Sequence, residues 1–293
     1  MVHMMTLKQL MEAFPTEETC REYIFSHRWP TGVKCPRCSN ENVYTLKRAG
    51  HWQCAKCSKS GYRFSLLTGT VMENTKYPLT TWFQVLWSML NNKKGISALQ
   101  IHRQIGSGSY QTAWYLCHRL RAAMQDADFL KLMGIVEVDE TYLGGKDKNR
   151  HADKRSHVTG GSGKVGVIGA ISRKGNVVCK VIENTSAKTL TNFVREAVSD
   201  DVELVATDDA AGYAPLNEMG YRHKSVNHSR HEYVRGSVHT ANIDNFWSLL
   251  KRGIIGTYHN VSKEYLPLYL AEFQFRYNNR KNADIFGDAI RGC

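Results

Sequence analysis

The sequence predicts an α/β chain in which a mixed-sheet domain follows a small cysteine-bearing module and a helical region. Two Cys-x-x-Cys pairs sit in a stretch with almost no aliphatic residues. A block of amphipathic segments at helical spacing comes next, and after residue 132 strand-like alternation and helical periodicity take turns. These shifts place boundaries at 1–75 for an N-terminal helix with the cysteine module, 76–130 for the helical region and 131–293 for the mixed-sheet domain.

The bulk numbers fit that layout. A chain of 293 residues with 42% apolar content buries a sizeable core. The formal net charge of +12 is the balance of a protein that neutralises phosphates, so nucleic acid is the first partner to consider. A surplus of Lys and Arg can also simply solvate a surface. No basic stretch leads into an apolar h-region, and no apolar run approaches the ~18 residues of a membrane span. The expectation is a soluble, cytoplasmic protein. Of eight cysteines, Cys20, Cys117, Cys179 and Cys293 are scattered singly, which fits a reducing compartment with one metal site.

Near the N-terminus Leu7, Leu10, Met11 and Phe14 fall at helical spacing before Pro15 interrupts. Cys35-Pro-Arg-Cys38 and Cys54-Ala-Lys-Cys57 follow, fifteen residues apart, and place four thiolates to close a tetrahedral zinc ribbon. The site is structural, because all four ligand positions are filled. Lys34, Arg37, Lys47, Arg48, Lys56 and Lys59 surround it with Trp52 and Tyr62 interleaved, a surface suited to phosphate or to a protein partner.

Between residues 80 and 125 three helices are expected. The second and third are separated by Gly106-Ser107-Gly108-Ser109, with Ser109 placed as an N-cap. This is a helix-turn-helix layout, and Tyr110, Gln111, Trp114, His118 and Arg119 along its last helix offer contacts to bases or backbone. A purely structural helical bundle has the same pattern.

From residue 135 the expected order is strand (135–139), two hairpin-linked strands (165–172, 176–182) turning at Lys174-Gly175, helix (186–199), strand (202–206), helix (211–218) and strand (223–226). Helices at 243–255 and 265–277 complete it. That is the order of an RNase-H-like mixed sheet. The loop 144–163, rich in Lys, Asp, His, Gly and Ser, reads as mobile without DNA.

Asp139 interrupts an apolar strand, with Glu137 on its face, and Asp208 follows the strand at 202–206, with Asp209 as its neighbour and possible substitute. On the helix at 243–255, Ile243, Phe246, Trp247, Leu250 and Ile254 form one apolar stripe, bordered by Asp244. Lys251 falls on nearly the azimuth of Asp244 two turns along, whereas Asn245 points almost opposite the stripe. Three acidic groups from two strands and a helix can converge on a pair of Mg²⁺ ions, with Lys251 holding a DNA phosphate.

The chain resembles the ISXO-like insertion-sequence transposases. The likeness runs through Arg28-Trp29-Pro30, the two cysteine knuckles, Val138-Asp139-Glu140-Thr141-Tyr142-Leu143-Gly144-Gly145-Lys146, and Thr207-Asp208-Asp209 with Tyr213. It continues through His239-Thr240-Ala241-Asn242-Ile243-Asp244-Asn245-Phe246-Trp247-Ser248-Leu249-Leu250-Lys251-Arg252-Gly253 and Phe275-Arg276-Tyr277-Asn278.

The resemblance implies a zinc ribbon ahead of a DDE-type catalytic domain, with Asp139 and Asp208 as the first two Mg²⁺ or Mn²⁺ ligands. The third acidic position, usually Glu in the family, is Asp244 here, with Asn242 and Asn245 as alternatives. The implied activity is metal-dependent strand cleavage and strand transfer at the terminal inverted repeats of an insertion sequence. Its partners are double-stranded terminal and target DNA and further copies of the chain, its setting the bacterial nucleoid. A decayed or domesticated DNA-binding protein, and a stand-alone nuclease, are the competing expectations.

Overall fold

The computed structural model describes residues 5–57, 61–125, 129–144, 164–226 and 238–293. Lys59, Gly145, Lys146 and the 144–163 loop beyond Gly144 lie outside the described residues. The chain packs into two compact units, Met1–Gln125 with Lys281–Cys293, and Asp126–Arg280.

In the first unit, helix α1 (Leu7–Ala13) is followed at once by α2 (Glu17–Arg28). Thr6 and Thr16 each close a capping box, and this pair of caps around Pro15 makes two helices out of the lead-in. The ribbon strands β1 (Tyr44–Thr45), β2 (His51–Cys54) and β3 (Tyr62–Ser65) pair antiparallel. Their small core is aromatic: Trp52 packs edge-on against Trp29 at 5.0 Å and stacks on Phe64 at 5.9 Å. Arg28 donates to the carbonyls of Leu66 and Thr68. The Arg28-Trp29 pair thus fastens the end of α2 to the ribbon. Trp52 is buried in that core and offers nothing to a surface, while Tyr62 lies under the Arg37 guanidinium at 4.0 Å.

Helices α3 (Leu79–Asn91), α4 (Ala98–Ile105) and α5 (Tyr110–Ala123) complete the expected trio. Ser97 and Ser109 cap α4 and α5, and Gly106 ends α4 in the left-handed region at φ 61° that favours glycine. Tyr110, Gln111 and Tyr115 face outward on α5, but His118 is buried and stacked on Trp114 at 3.8 Å, so it is no surface contact. A last helix, α9 (Ile285–Arg291), packs against α2 and α3 through Phe286, whose ring lies 5.2 Å from that of Phe83. Residues 281–293, which the sequence reading carries with the mixed-sheet domain, therefore belong to the first unit.

The second unit holds the sheet. Strands β4 (Ile135–Leu143), β5 (Val165–Ser172), β6 (Val177–Ile182), β7 (Leu204–Asp208) and β8 (His223–Val226) run in the order β6-β5-β4-β7-β8. The β4–β5 and β5–β6 pairs are antiparallel and the β4–β7 and β7–β8 pairs parallel, so the sheet is mixed. Helix α6 (Ala187–Ala197) makes the crossover from β6 to β7. Helices α7 (Ala241–Gly253) and α8 (Leu266–Asn278) follow β8.

Alternation along β4 and β5 sends side chains to two apolar layers. Val136, Val138, Ile168 and Ala170 pack on Leu190, Phe193 and Val194 of α6. On the other face Val167 and Ile171 meet Ile243, Phe246, Trp247 and Leu250 of α7 and Phe273 of α8. The segment after β7 is a 3-10 helix, Ala211–Leu216, with Pro215 inside it, where the sequence reading expects an ordinary helix. A π-type turn, Ile254–Tyr258, continues α7.

The exposed edge of β6 is closed by two amides of α8. Val177 N–H donates to Asn278 Oδ1 at 2.8 Å, Asn278 Nδ2 donates back to the Val177 carbonyl at 3.0 Å, and Cys179 N–H donates to Gln274 Oε1 at 3.1 Å. Side chains thus take the place of a neighbouring strand.

Candidate metal centres

The four cysteines of the ribbon converge as their spacing predicts. The Sγ atoms of Cys35 and Cys57 lie 3.4 Å apart, Cys38 and Cys57 3.1 Å, and Cys38 and Cys54 3.8 Å. A tetrahedron with Zn–S bonds of about 2.3 Å has edges of about 3.8 Å, so four soft thiols this close fit zinc. Asn40 Nδ2 reaches the Cys54 sulfur at 3.5 Å, an outer contact that orients the ligand.

The second cluster is carboxylate. Oxygens of Asp139, Glu140 and Asp208 all lie within 4.8 Å of one another. Register explains how this happens. The β4–β7 pairing covers Ile135, Val136 and Glu137 against Leu204, Val205 and Ala206 and then stops, while Asp208 sits two residues further along β7. Past that point, among the described residues, β7 no longer pairs with β4, and Asp139 from one face and Glu140 from the other both come close to Asp208 around that edge.

Asp208 itself accepts from Ala210 N–H at 3.3 Å. Asp209 is exposed and accepts from Ser225 Oγ at 3.3 Å, so it is drawn to β8 and away from the cluster.

Burial in a low-dielectric edge, reinforced by the charges of Asp208 and Asp244, pushes the Asp139 carboxyl up to about 7, against a Trp247 hydrogen bond that favours the ionised form. Burial, then the Asp208 charge, pushes Glu140 up to about 7 as well. Three hard oxygen donors this close suit a divalent cation of the Mg²⁺ or Mn²⁺ kind.

The Tyr213 hydroxyl, on the 3-10 helix after β7, is fully buried beside Glu140 and is placed to donate to its carboxylate. Burial, then the neighbouring Glu140, holds its phenol well above the ordinary range.

Helix α7 is brought to this edge by Glu137. That carboxylate is completely buried and accepts from Asn242 N–H at 2.8 Å, Ile243 N–H at 3.2 Å, Asn242 Nδ2 at 2.7 Å and Arg173 Nε at 2.8 Å, with His239 Nδ1 at 3.2 Å. An acid on β4 therefore caps the first turn of α7, where free N–H groups and the helix dipole favour negative charge. Further along the same helix, Trp247 Nε1 donates to Asp139 Oδ2 at 2.9 Å.

Asp139 and Asp208 are thus brought together as expected. Asp244 is exposed, accepts from Thr240 Oγ1 at 3.2 Å, and is felt electrostatically by Asp139 without joining the close group. Asn245 is exposed too, Asn242 is engaged with Glu137, and Lys251 is half-buried two turns along α7. Glu140 is the member that sequence reasoning passes over. Alternation assigns it to the opposite face from Asp139, and only the early end of the β7 pairing makes that face available. Two consecutive acids in an apolar strand were the available signal.

Comparison with known proteins gives two domain matches. Residues 131–278, half of the chain, match the ISXO2-like transposase domain, and residues 15–60 match the transposase zinc-ribbon domain. An uncharacterized protein in transposable element ISH50 of Halobacterium salinarum is 28% identical over 279 residues, covering 91% of this chain and 92% of its own. An uncharacterized transposase-like protein of Haemophilus influenzae is 33% identical over 106 residues, 36% of this chain and 84% of its own. The described residues contain no helix long and apolar enough to cross a membrane. The family's DDE domain implies an RNase-H-like fold for the mixed sheet, and the chain belongs to the ISXO2-like transposase family.

Proposed function

We propose that the chain is an active DNA transposase, cutting and joining strands at the terminal inverted repeats of an insertion sequence. The observation that carries this reading is the meeting of Asp139 and Asp208, remote in sequence, at one open sheet edge. When divalent cations are bound they supply charge neutralisation and activation of an attacking water or 3′-hydroxyl in an in-line displacement at phosphorus. Asp139 and Asp208 hold the cation. Asp244 supplies further negative charge at the same edge, Trp247 fixes the rotamer of Asp139, and Lys251 holds a phosphate of the strand.

Binding falls to the first unit. The zinc ribbon, with Arg37, Lys47, Arg48 and Lys56 exposed, takes phosphates, and α4–α5 acts as a helix-turn-helix with Tyr110, Gln111 and Tyr115 outward. More than one copy is required to hold two DNA ends, and the setting is the bacterial nucleoid.

The test is strand transfer by the full chain on terminal-repeat duplexes in Mg²⁺ and Mn²⁺. Asp139→Asn and Asp208→Asn are expected to abolish cleavage and joining while leaving duplex binding intact; wild-type rates in either variant sink the assignment. The position of Asp244 outside the close carboxylate group favours one second reading, a family member that binds DNA without cutting it. That reading expects zinc-dependent binding and no cleavage in either metal.

A further inference from the structure

We infer that the groove between α5 and residues 70–77 holds an unpaired nucleotide of a DNA strand, its base among the rings of Tyr77, Trp114 and Tyr115 and its phosphate beside Lys76 and Arg119. This rests on the reading above that the chain acts on DNA, and adds to it a place for a base that has left its stack.

Space comes first. The groove measures about 800 Å³ and lies wholly within the first unit. Sites that hold compact ligands fall in the range of about 300–1,000 Å³. One wall is α5 from Gln111 to Arg119, the other is the segment leading into α3, and Trp82 of α3 completes the lining.

The walls are fixed by bonds of their own. Trp82 Nε1 donates to Thr75 Oγ1 at 2.8 Å, and Tyr77 N–H donates to the same oxygen at 3.0 Å. Asn74 turns the segment in the left-handed region at φ 55°, which asparagine tolerates better than most side chains. Arg119 ties one wall to the other: its Nη2 donates to the Glu73 carbonyl at 2.9 Å, while its guanidinium lies 5.6 Å from the Trp82 ring and 5.4 Å from that of Tyr115. A groove shaped in advance costs a ligand little ordering.

The lining then sets the chemistry. Trp114 is half-buried and backed by the His118 ring at 3.8 Å, Tyr77 is half-buried, and Tyr115 is 54% exposed. Rings gathered in a concavity suit a flat partner. A paired base shows only its edges, because its faces are covered by its neighbours, so recessed rings favour a base out of its stack over a duplex. The cations point the same way. Lys76 is exposed, and Arg119 has five N–H donors of which the Glu73 carbonyl takes one. Glu73 turns its carboxylate to Gly69 N–H at 3.1 Å. Positive charge beside the rings answers the phosphate that accompanies a base, and an apolar peptide has no group to match it.

The experiment is photocrosslinking of the full, zinc-loaded chain to a short single-stranded oligonucleotide carrying one 5-iodouracil, with the attachment mapped by peptide mass spectrometry. The same strand annealed to its complement is run beside it. Attachment is expected on Tyr77, Trp114 or Tyr115, and about tenfold less of it from the paired base, whose faces are stacked. Tyr115→Ala and Lys76→Ala change exposed positions. The first should weaken binding of the single strand by about tenfold, near the worth of one stacked base, and the second should make its salt dependence shallower, as loss of one phosphate contact does. Equal attachment from the paired base overturns the inference. Attachment abolished by thymidine monophosphate at the same nucleotide concentration makes the groove a site for free nucleotides and overturns the assignment to a strand. Duplex binding with no attachment in the groove overturns this site alone, whereas no binding of strand or duplex overturns the DNA reading itself.

Discussion

Trp247 crosses the sheet over Gly169. A Cβ at that glycine would lie 2.6 Å from Trp247 Cη2 and 3.2 Å from Ile243 Cδ1, and Gly169 is the residue paired with Asp139 across β4 and β5. The missing side chain on β5 is what lets the indole lie down and bring its N–H to the carboxylate on the next strand. Packing of α7 and orientation of the proposed metal ligand are therefore one arrangement.

Gly169→Ala should break it. Methyl and indole cannot share the space, and the nearest contact is to a rigid ring, so overpacking is expected to cost about 1–3 kcal/mol of stability. Strand transfer should fall further than stability explains, because Asp139 loses its donor. Trp247→Phe is the complement: it keeps most of the apolar contact and deletes the hydrogen bond. Urea unfolding beside strand-transfer rates checks both, and equal activity in Gly169→Ala and wild type would show that the indole has no role in orienting Asp139.

Glu137 was legible in the sequence only as a residue sharing a face with Asp139; its partners were not. Removing it leaves Arg173 and two first-turn N–H groups of α7 buried without an acceptor, and breaking a buried pair from one side costs roughly 3–5 kcal/mol. Glu137→Ala is expected to lose that much in urea unfolding. A loss below about 1 kcal/mol would mean that the N-terminus of α7 is held elsewhere.

The pH dependence of the metal-free chain follows from the carboxylate edge. Asp139 and Glu140 take up protons more readily folded, at about 7, than in the unfolded chain, where ordinary values near 3.8 and 4.5 apply. Between those limits the folded state binds more protons, so stability falls as pH rises from about 4 to about 7 and levels off above. Asp139→Asn should flatten the fall, and saturating Mg²⁺, which favours the ionised forms, should reverse it. Thermal melts across that range decide; stability rising with pH in the metal-free protein would contradict the electrostatics described.

How much of this could be read beforehand depends on whether the signal is local. The four cysteines, the ladder of β4, β5 and β6 and the cap at Ser109 come from spacing, alternation and turn chemistry within a few residues. Asp139 and Asp208 stand out because each interrupts or ends an apolar strand. Glu140 depends on where a pairing between remote strands stops, and α9 is too short for its stripe of Ile285, Phe286, Ala289 and Ile290 to declare itself or to say which unit it joins. The 3-10 form of Ala211–Leu216 was signalled by Pro215, although an apolar run around it suggests a regular helix.

Zinc removal should act first on the ribbon. Its three strands have little core beyond Trp29, Trp52, Phe64 and Leu66, and a unit so small depends on its metal to stay folded. Treatment with a strong chelator, or Cys38→Ser, is expected to expose Trp52 and red-shift tryptophan emission. An unchanged spectrum after verified zinc loss would mean that the aromatic cluster holds without it.

Asn278 ends the motif Phe275-Arg276-Tyr277-Asn278 and gives it a physical reason. Its amide accepts from and donates to the same backbone residue, Val177, which only a side chain with both groups at one end can do, and Gln274 one turn earlier answers Cys179. Asn278→Ala leaves a partly buried N–H and carbonyl of an edge strand open, at about 1–3 kcal/mol. An open strand edge is also a template for another chain. The variant should therefore combine lower stability with concentration-dependent light scattering, while Asn278→Asp, which keeps the acceptor and loses the donor, should fall between. If Asn278→Ala scatters no more than wild type at equal concentration and temperature, α8 shields β6 by bulk alone and the amide is dispensable.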